Sequence, residues 1–171
     1  MNAIWRPVLE HLGLVAEPVA EAIGALGEDG RLIEVASIDP EHADTDAMTK
    51  LWGTDLFDSV NCVVIAGKRA GNERLAACCV RATTKADINH AVKRLLDVRK
   101  CSFMPTERAV AETGMSYGGI TPIGLPWRIL LDEQVPGAPA IIGSGLRTSK
   151  LRLPGDLLTR LPGAEIHPIA M

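Results

Sequence analysis

The chain has 171 residues, 47% of them hydrophobic, and carries a formal net charge of −3 at pH 7. This length suits a single domain that buries its core without disulfides or a structural metal. The small negative charge argues against a protein that holds nucleic acid through bulk positive charge, because phosphate neutralisation needs a concentrated basic surface. A local basic face remains compatible with this composition.

The cysteines and the apolar runs indicate the cellular compartment. The four cysteines have neither CxxC nor Cys/His metal spacing, and three lie in apolar runs, so we expect reduced, buried side chains and no metal site. They are Cys62, Cys78, Cys79 and Cys101. No apolar run reaches the roughly 18 residues of a membrane span, and the first residues lack the pattern of a secretory leader. We therefore expect a cytoplasmic protein.

The first part of the chain predicts short helices and one strand. Apolar residues at helical spacing in residues 4–26, interrupted near Gly13 and Pro18, indicate two short helices. Residues 31–39, RLIEVASID, are predicted to form a strand. Residues 41–53 carry acidic residues early, a lysine late and a final glycine, which is typical of a short helix. Nothing in this part is specific to one function.

The middle of the chain predicts a β-hairpin in the core. Residues 60–67 and 74–83 are apolar, partly β-branched runs joined by the polar turn KRAGNE. An amphipathic helix is predicted over 84–98, and a short strand follows over 100–104. Residues 105–114 start with proline and end with glycine, as expected for a short helix.

The last part predicts short strands separated by turns. The strand candidates are residues 128–135, 140–145 and 149–154. A short helix is predicted over 154–163, and residues 164–169 are predicted to form a closing edge strand, where Pro168 is tolerated. Because strict βαβ alternation is absent, the expected architecture is mixed α/β with several hairpins, and a Rossmann-type sheet is disfavoured.

Between these parts lies the stretch TGMSYGGITPIGLP, residues 113–126, which holds four glycines and two prolines. It lacks the spacing of the known phosphate-binding glycine loops. Gly118 and Gly119 allow a close approach to a ligand and can point N–H groups inward, while Pro122 biases Thr121 to an extended conformation. Such a wall suits a small pocket in which backbone donors hold an ester carbonyl or its oxyanion. The alternative is a tight connection between a helix and a strand.

The order ERAVAETGMSYGGITPIGLPWRILLDEQV, followed by IIGSGLRTSKLRLPGDLL, resembles the YbaK and prolyl-tRNA synthetase insertion-domain family of editing deacylases, over about residues 55–169. The resemblance implies a single compact α/β (mixed α+β) domain over residues 1–171, with a mixed, mostly antiparallel, barrel-like sheet surrounded by short helices. It also implies an enzyme without a cofactor, which hydrolyses the ester of a mischarged tRNA such as tRNA for proline carrying alanine or cysteine.

The resemblance also assigns site residues. It places in the amino-acid pocket Gly118, Gly119, Thr121, Pro122 and Gly124, together with Ser144 and Gly145 of the next turn. Backbone N–H groups of Gly118 and Gly119, or of Gly145, are then expected to stabilise the ester oxygen.

Two positions depart from the family pattern. Asn61 stands where many members have a lysine; an asparagine positions a ribose hydroxyl, a carbonyl or a water, but it supplies no positive charge and no acid/base function. Ser149 stands where many members have an aspartate. Lys68 lies at the far end of the same strand, about 20 Å from Asn61, and does not replace the missing lysine.

The resemblance implies the acceptor end of aminoacyl-tRNA as partner, with an aminoacyl-tRNA synthetase as a second candidate, and neither DNA nor a membrane. Candidates for a basic face are Lys93, Arg94, Arg99, Lys100, Arg147, Lys150 and Arg152. Because the lysine is absent, a second interpretation stays open: a non-catalytic module that binds aminoacyl-tRNA, an amino acid or a partner protein. A hydrolase of another small ester is a third alternative that rests on fold analogy.

Overall fold

Two open β-sheets of four and five strands form the framework of the computed structural model, which describes residues 1–171. In chain order the strands are β1 (Arg6–Pro7), β2 (Glu34–Ser37), β3 (Val60–Arg69), β4 (Asn72–Arg81), β5 (Lys100–Phe103), β6 (Arg128–Asp132), β7 (Pro139–Gly143), β8 (Ser149–Pro154) and β9 (Ala164–His167). The first sheet has the order β1-β2-β8-β7 and is antiparallel. The second has the order β5-β3-β4-β6-β9 and is parallel only at β4–β6 and β6–β9. The mixed, mostly antiparallel character is confirmed, but the sheets do not close into a barrel.

Five short α-helices surround the sheets. They are α1 (Glu17–Ala25), α2 (Thr45–Trp52), α3 (Lys93–Leu96), α4 (Thr106–Thr113) and α5 (Gly155–Leu158). As predicted, α2 and α4 end at glycines, Gly53 and Gly114, which adopt positive φ values of 64° and 68°. None of the helices combines the length and the apolar composition required to cross a bilayer.

The structure differs from the predicted elements mainly at their ends. The N-terminal segment contains one α-helix and short 3-10 turns, because Pro18 lies in the first turn of α1 and begins that helix instead of interrupting it. The hairpin strand β3 is two residues longer than the predicted 60–67, and β4 has the predicted length of ten residues but starts and ends two residues earlier. Their turn is only Ala70–Gly71, and both residues have positive φ, as a two-residue hairpin turn requires. The predicted helix over 84–98 is a π-helical turn, Ile88–Val92, followed by α3.

Three apolar clusters hold the layers together. The largest contains 23 buried residues from both sheets and from α1. A second covers the opposite face of β4 and β6 with the π-helical turn and α3. A third packs α2 onto the first sheet through Met48, Trp52, Ala36 and Ile141.

A buried arginine connects the two sheets. Arg81, the last residue of β4, is fully buried, and its guanidinium donates hydrogen bonds to the carbonyl oxygens of Pro139 at 2.6 Å and Ala138 at 3.0 Å. Further acceptors are the carbonyl oxygens of Phe57, Gln134 and Val135. Burial lowers the pKa of Arg81, and the negative charge of Asp58 opposes this shift. One side chain thus joins the segments that precede β3 and β7.

The glycine-rich loop packs backbone against backbone. A Cβ on Gly143 would lie 2.5 Å from the carbonyl oxygen of Gly119, and a Cβ on Gly119 would lie 2.7 Å from the carbonyl oxygen of Leu146. The N–H of Gly145 donates to the carbonyl of Gly119 at 2.7 Å, and the N–H of Ser116 donates to the carbonyl of Gly145 at 2.8 Å. The absence of side chains therefore lets the loop lie directly on the end of β7 and on the turn that follows it.

Replacement of Arg81 by methionine is expected to lower the free energy of unfolding by about 2–4 kcal/mol, because several buried carbonyls lose their donor. Urea denaturation of the purified variant measures this loss. The matched control is Arg160→Met, which removes an arginine paired with Asp29 at the surface and is expected to change stability far less. Equal losses in the two variants would contradict the role assigned to Arg81.

Replacement of Gly143 by alanine is expected to destabilise the fold by about 1–3 kcal/mol, because the new methyl group collides with the backbone of the glycine-rich loop. Thermal and urea unfolding measure the effect. The control is Gly24→Ala in α1, where the added Cβ meets no atom within 4 Å and a helical alanine is favoured. A Gly143→Ala protein as stable as the unaltered chain would show that the loop is not held against β7.

Candidate active site

A cavity of about 600 Å³ opens between segments of both sheets. Two of its walls are residues 59–64 at the start of β3 and residues 141–143 at the end of β7. The others are formed by some of the residues in 43–48 around the start of α2, 103–109 around the start of α4, 117–120 of the glycine-rich loop and 147–150 before and at the start of β8. This volume is in the range of small-molecule sites. The cavity is the place where the glycine-rich loop, the first hairpin strand and the turn after β7 meet.

Asn61 lines this cavity from β3. Its side-chain oxygen accepts a hydrogen bond from the hydroxyl of Thr45 at 2.9 Å. Since Thr45 begins α2, the contact joins the helix to the strand and leaves the amide N–H groups of Asn61 as donors. Asn61 is therefore fixed in orientation by Thr45 and offers its amide N–H groups at the cavity wall.

Among the glycines assigned to the pocket by the resemblance, Gly118 alone lines the cavity. It has a φ of 83°, and its N–H donates to no acceptor within the protein. The N–H of Gly119 donates to the carbonyl of Ser116 at 2.9 Å, and that of Gly145 donates to the carbonyl of Gly119. Of the three backbone donors predicted to face an ester oxygen, only Gly118 N–H is free to do so.

The other expected pocket residues lie outside the cavity wall. Thr121 and Pro122 are buried, and Gly124 packs on the carbonyl of Pro18 at the start of α1. Ser144 is fully buried, and its hydroxyl lies 2.7 Å from that of Ser149, which donates to the carbonyl of Leu14 at 2.6 Å. These contacts hold the loop and the turn in place.

Two cationic side chains line the cavity, Arg147 and Lys150, which the sequence suggested for a basic face and not for the pocket itself. Arg147 donates to the carbonyl of Pro40 at 2.8 Å and to the carboxylate of Asp44 at 3.3 Å. Lys150, on β8, is 7% exposed. Burial lowers the pKa of Lys150, Arg147 lowers it further, and Asp44 acts in the opposite direction. The cavity wall thus carries two cationic side chains, although Asn61 itself is uncharged.

The remaining basic candidates do not line the cavity. Arg152 pairs with Glu34 at 2.8 Å and covers the ring of Trp5. Lys93 and Arg94 lie on α3, and the last two candidates, Arg99 and Lys100, lie immediately before and at the start of β5. Of the seven residues proposed for a basic face, Arg147 and Lys150 face the candidate site.

The cavity has an apolar interior and an aromatic rim. Val64, Met104 and Ala109 form a small buried cluster in its wall. Phe103 and Tyr117 also line the cavity and are 61% and 63% exposed. An apolar chamber with exposed rings at its mouth suits a ligand that combines a small apolar group with a planar one.

The cysteines are free, as expected, but only two are fully buried. Burial raises the pKa of Cys78. A hydrogen bond with Cys62 and burial both raise the pKa of Cys79. Cys62 is half-buried and lines the cavity, and Cys101 is half-buried as well. No group of three or more His, Cys, Asp or Glu side chains is arranged to hold a metal ion.

Solved structures share this fold. A candidate trans-editing enzyme for prolyl-tRNA synthetase matches with a TM-score of 0.74 and 19% identity, over 92% of this chain and 99% of the other. A hypothetical protein, APE2540, matches with a TM-score of 0.77 and 20% identity, over 91% of this chain and all (100%) of the other. A signal transduction protein candidate from Marinobacter aquaeolei matches with a TM-score of 0.61 and 16% identity, over 90% of this chain and 30% of the other. At these identities the matches establish the fold.

Sequence comparison identifies the family. No curated protein sequence shows significant similarity to the chain. The model of the aminoacyl-tRNA editing domain matches residues 39–161, which include β3, the glycine-rich loop and β8 and so nearly every segment of the cavity wall. This match covers well over half of the 171 residues. The chain therefore belongs to the family of aminoacyl-tRNA editing domains.

Proposed function

We propose that the protein is a trans-editing deacylase, which hydrolyses the ester between a wrongly attached amino acid and its tRNA. The observation that carries the proposal is the cavity in a chain that belongs to the editing-domain family. The backbone N–H of Gly118, which has no acceptor in the protein, lines this cavity together with the side-chain amide of Asn61, whose oxygen is bound by Thr45. The similarity to a candidate trans-editing enzyme for prolyl-tRNA synthetase makes tRNA for proline carrying alanine or cysteine the first substrates to test. Such an activity belongs in the cytoplasm, where a synthetase supplies the mischarged tRNA.

The reaction needs a water and a site for negative charge. The water oxygen adds to the ester carbonyl carbon, and the carbonyl electron pair moves onto its oxygen. When this tetrahedral intermediate collapses, the bond from carbon to the ribose oxygen breaks, and the ribose oxygen takes the proton that the water loses. Free amino acid and tRNA with a free hydroxyl result.

In this proposal Gly118 and Asn61 donate hydrogen bonds to different atoms of the reacting groups. Gly118 N–H donates to the ester oxygen, where preorganised donors stabilise developing negative charge more than water does. The amide N–H groups of Asn61 hold a ribose hydroxyl or the attacking water. The residues outside the cavity wall support these two groups by fixing the position of the loop. They are Gly119, Thr121, Pro122, Gly124, Ser144 and Gly145.

Discrimination in such a site rests on size. The walls formed by Val64, Met104 and Ala109 admit a small apolar side chain and limit a larger one. One methylene discriminates only about 10- to 200-fold in an apolar pocket, which explains why synthetases benefit from a second sieve.

The aromatic rim provides a place for the terminal adenine. Phe103 and Tyr117 are exposed at the cavity mouth, and a base gains about 1–3 kcal/mol by stacking on an aromatic side chain. A single stacked nucleotide needs little additional positive charge, which is consistent with the net charge of −3.

The first experiment is a deacylation assay with the purified protein and a panel of aminoacyl-tRNAs, including tRNA for proline charged with alanine or cysteine. We expect turnover of one mischarged species. Asn61→Ala is expected to lower kcat/KM about 10-fold, because it removes the amide donors. Gly118→Val is expected to lower it about 100-fold or more, because a side chain at the positive φ of 83° collides with the Arg147 guanidinium and displaces the N–H donor. Circular dichroism checks the folding of both variants. Asn72→Ala, at the exposed first residue of β4, is the matched control.

The outcomes separate the candidate functions. Unchanged deacylation in both variants would show that this is not the reacting site. No turnover across the panel, with retained binding of aminoacyl-tRNA, would instead identify a non-catalytic binding module.

The aromatic rim generates a separate prediction. Tyr117→Ala is expected to raise KM for aminoacyl-tRNA about 10-fold with little change in kcat, because it removes a stacking surface for the base. Tyr117→Phe retains the ring and should behave as the unaltered protein. Kinetics with an amino-acid ester that lacks a nucleobase provide the contrast: an equal effect of Tyr117→Ala on both substrates would exclude base stacking.

A further inference from the structure

Lys150 occupies an unusual position for a lysine in this fold. It lies on β8 between Ser149 and Leu151, and Leu151 belongs to the main core cluster. Because side chains alternate along a strand, Lys150 lies on the opposite face of the first sheet. Its cross-strand partners there are Ala36 on β2 and Gly143 on β7.

The glycine-rich loop covers the same face. Gly143 has no side chain, and the direction of its missing Cβ leads to the carbonyl oxygen of Gly119, 2.5 Å away. Paired residues of antiparallel strands place their side chains on one face, so Lys150 lies alongside this loop. Lys150, Gly143 and Gly118 all line the cavity.

The amine of Lys150 has no partner in the protein. The neighbouring carboxylate of Asp44 is engaged by Arg147, which also donates to the carbonyl of Pro40. Lys150 itself donates to no acceptor and forms no ion pair, although it is 7% exposed. The side chain is largely buried, but its amine reaches the open cavity, where a charged donor without a protein partner is available to an acceptor of a ligand.

The charges around the cavity indicate which atom of a ligand accepts a hydrogen bond from Lys150. The titratable groups that line it are Asp44, Cys62, Tyr117, Arg147 and Lys150. Asp44 and Arg147 neutralise each other, so Lys150 is the uncompensated cation. It repels the α-ammonium group of an aminoacyl ester and attracts the ester oxygen, above all when that oxygen becomes negatively charged.

We propose that Lys150 is a catalytic residue of the deacylase, whose ammonium group donates a hydrogen bond to the ester carbonyl oxygen as water adds to the carbonyl carbon. This inference rests on the proposed function and adds a charged donor to the neutral donor Gly118 N–H. The ammonium keeps its proton throughout: the water proton passes to the ribose oxygen, and Lys150 stabilises the intermediate electrostatically.

Lys150→Met tests the role of the charge at nearly constant side-chain length. We expect kcat to fall about 10²- to 10³-fold with little change in KM, the loss typical of one removed oxyanion donor. Lys150→Arg keeps a cation and should recover part of kcat. Lys68→Met is the control, since it removes an exposed lysine at the far end of β3.

A stability measurement separates catalysis from folding. Because the side chain is largely buried and its amine has no partner in the protein, Lys150→Met is expected to leave the urea midpoint unchanged or to raise it. A lysine that only supports the structure would show the reverse pattern, with a lower midpoint and a proportional loss of folded protein.

The pH profile gives a third readout. The protonated amine is the active form, so kcat of the unaltered protein should fall as the pH rises through the pKa of Lys150, which burial and Arg147 place below its usual value. Lys150→Arg should remove this fall, because an arginine stays protonated throughout the accessible range.

Each outcome decides a distinct claim. Turnover by the unaltered protein together with equal turnover by Lys150→Met would overturn the role of Lys150 and leave the proposed function intact. Absence of turnover by the unaltered protein would overturn the proposed function itself, and the catalytic role of Lys150 with it.

Discussion

The buried guanidinium of Arg81 is the contact on which the relation between the two sheets depends. Arg81 ends β4 in the second sheet, yet it donates to the carbonyl of Pro139, the first residue of β7 in the first sheet. It also holds the carbonyl of Phe57, just before β3. Irregular segments leave carbonyl groups without partners, and a planar group with five donors satisfies several of them at once. The segments that Arg81 joins lead into β3 and β7, which form two walls of the cavity.

The glycine-rich loop adds a second constraint, which acts over shorter distances. Its backbone lies on Gly143 and on the turn at Gly145, and hydrogen bonds in both directions join the two segments. Within the loop the N–H of Gly119 is consumed by the carbonyl of Ser116, whereas the N–H of Gly118 remains for a ligand. A donor fixed in this way costs no reorganisation when charge develops nearby. The residues that hold the glycine-rich loop in place are therefore as important to the proposed reaction as the residues that line the cavity.

Local patterns in the sequence predicted what is determined locally. The two apolar runs with a polar turn over residues 60–83 and the glycine stops at Gly53 and Gly114 correspond to the observed elements. The burial of Arg81 and Lys150 was not predictable in this way. A lysine that alternates with buried residues, as Lys150 does between Ser149 and Leu151, is the usual pattern of a solvent-exposed strand face, and only the distant α2 and the glycine-rich loop cover this one. A glycine-rich sequence likewise does not reveal whether its backbone faces a ligand or another backbone.

The position of Lys150 has a consequence for the comparison of related proteins. Asn61 and Lys150 enter one cavity from different sheets, 89 positions apart in the chain. An alignment read column by column would record only that Asn61 carries no charge. A superposition of cavities would also record the cation that Lys150 brings in from the other sheet. Proteins of this fold are therefore better compared by the space that their side chains share than by single aligned positions.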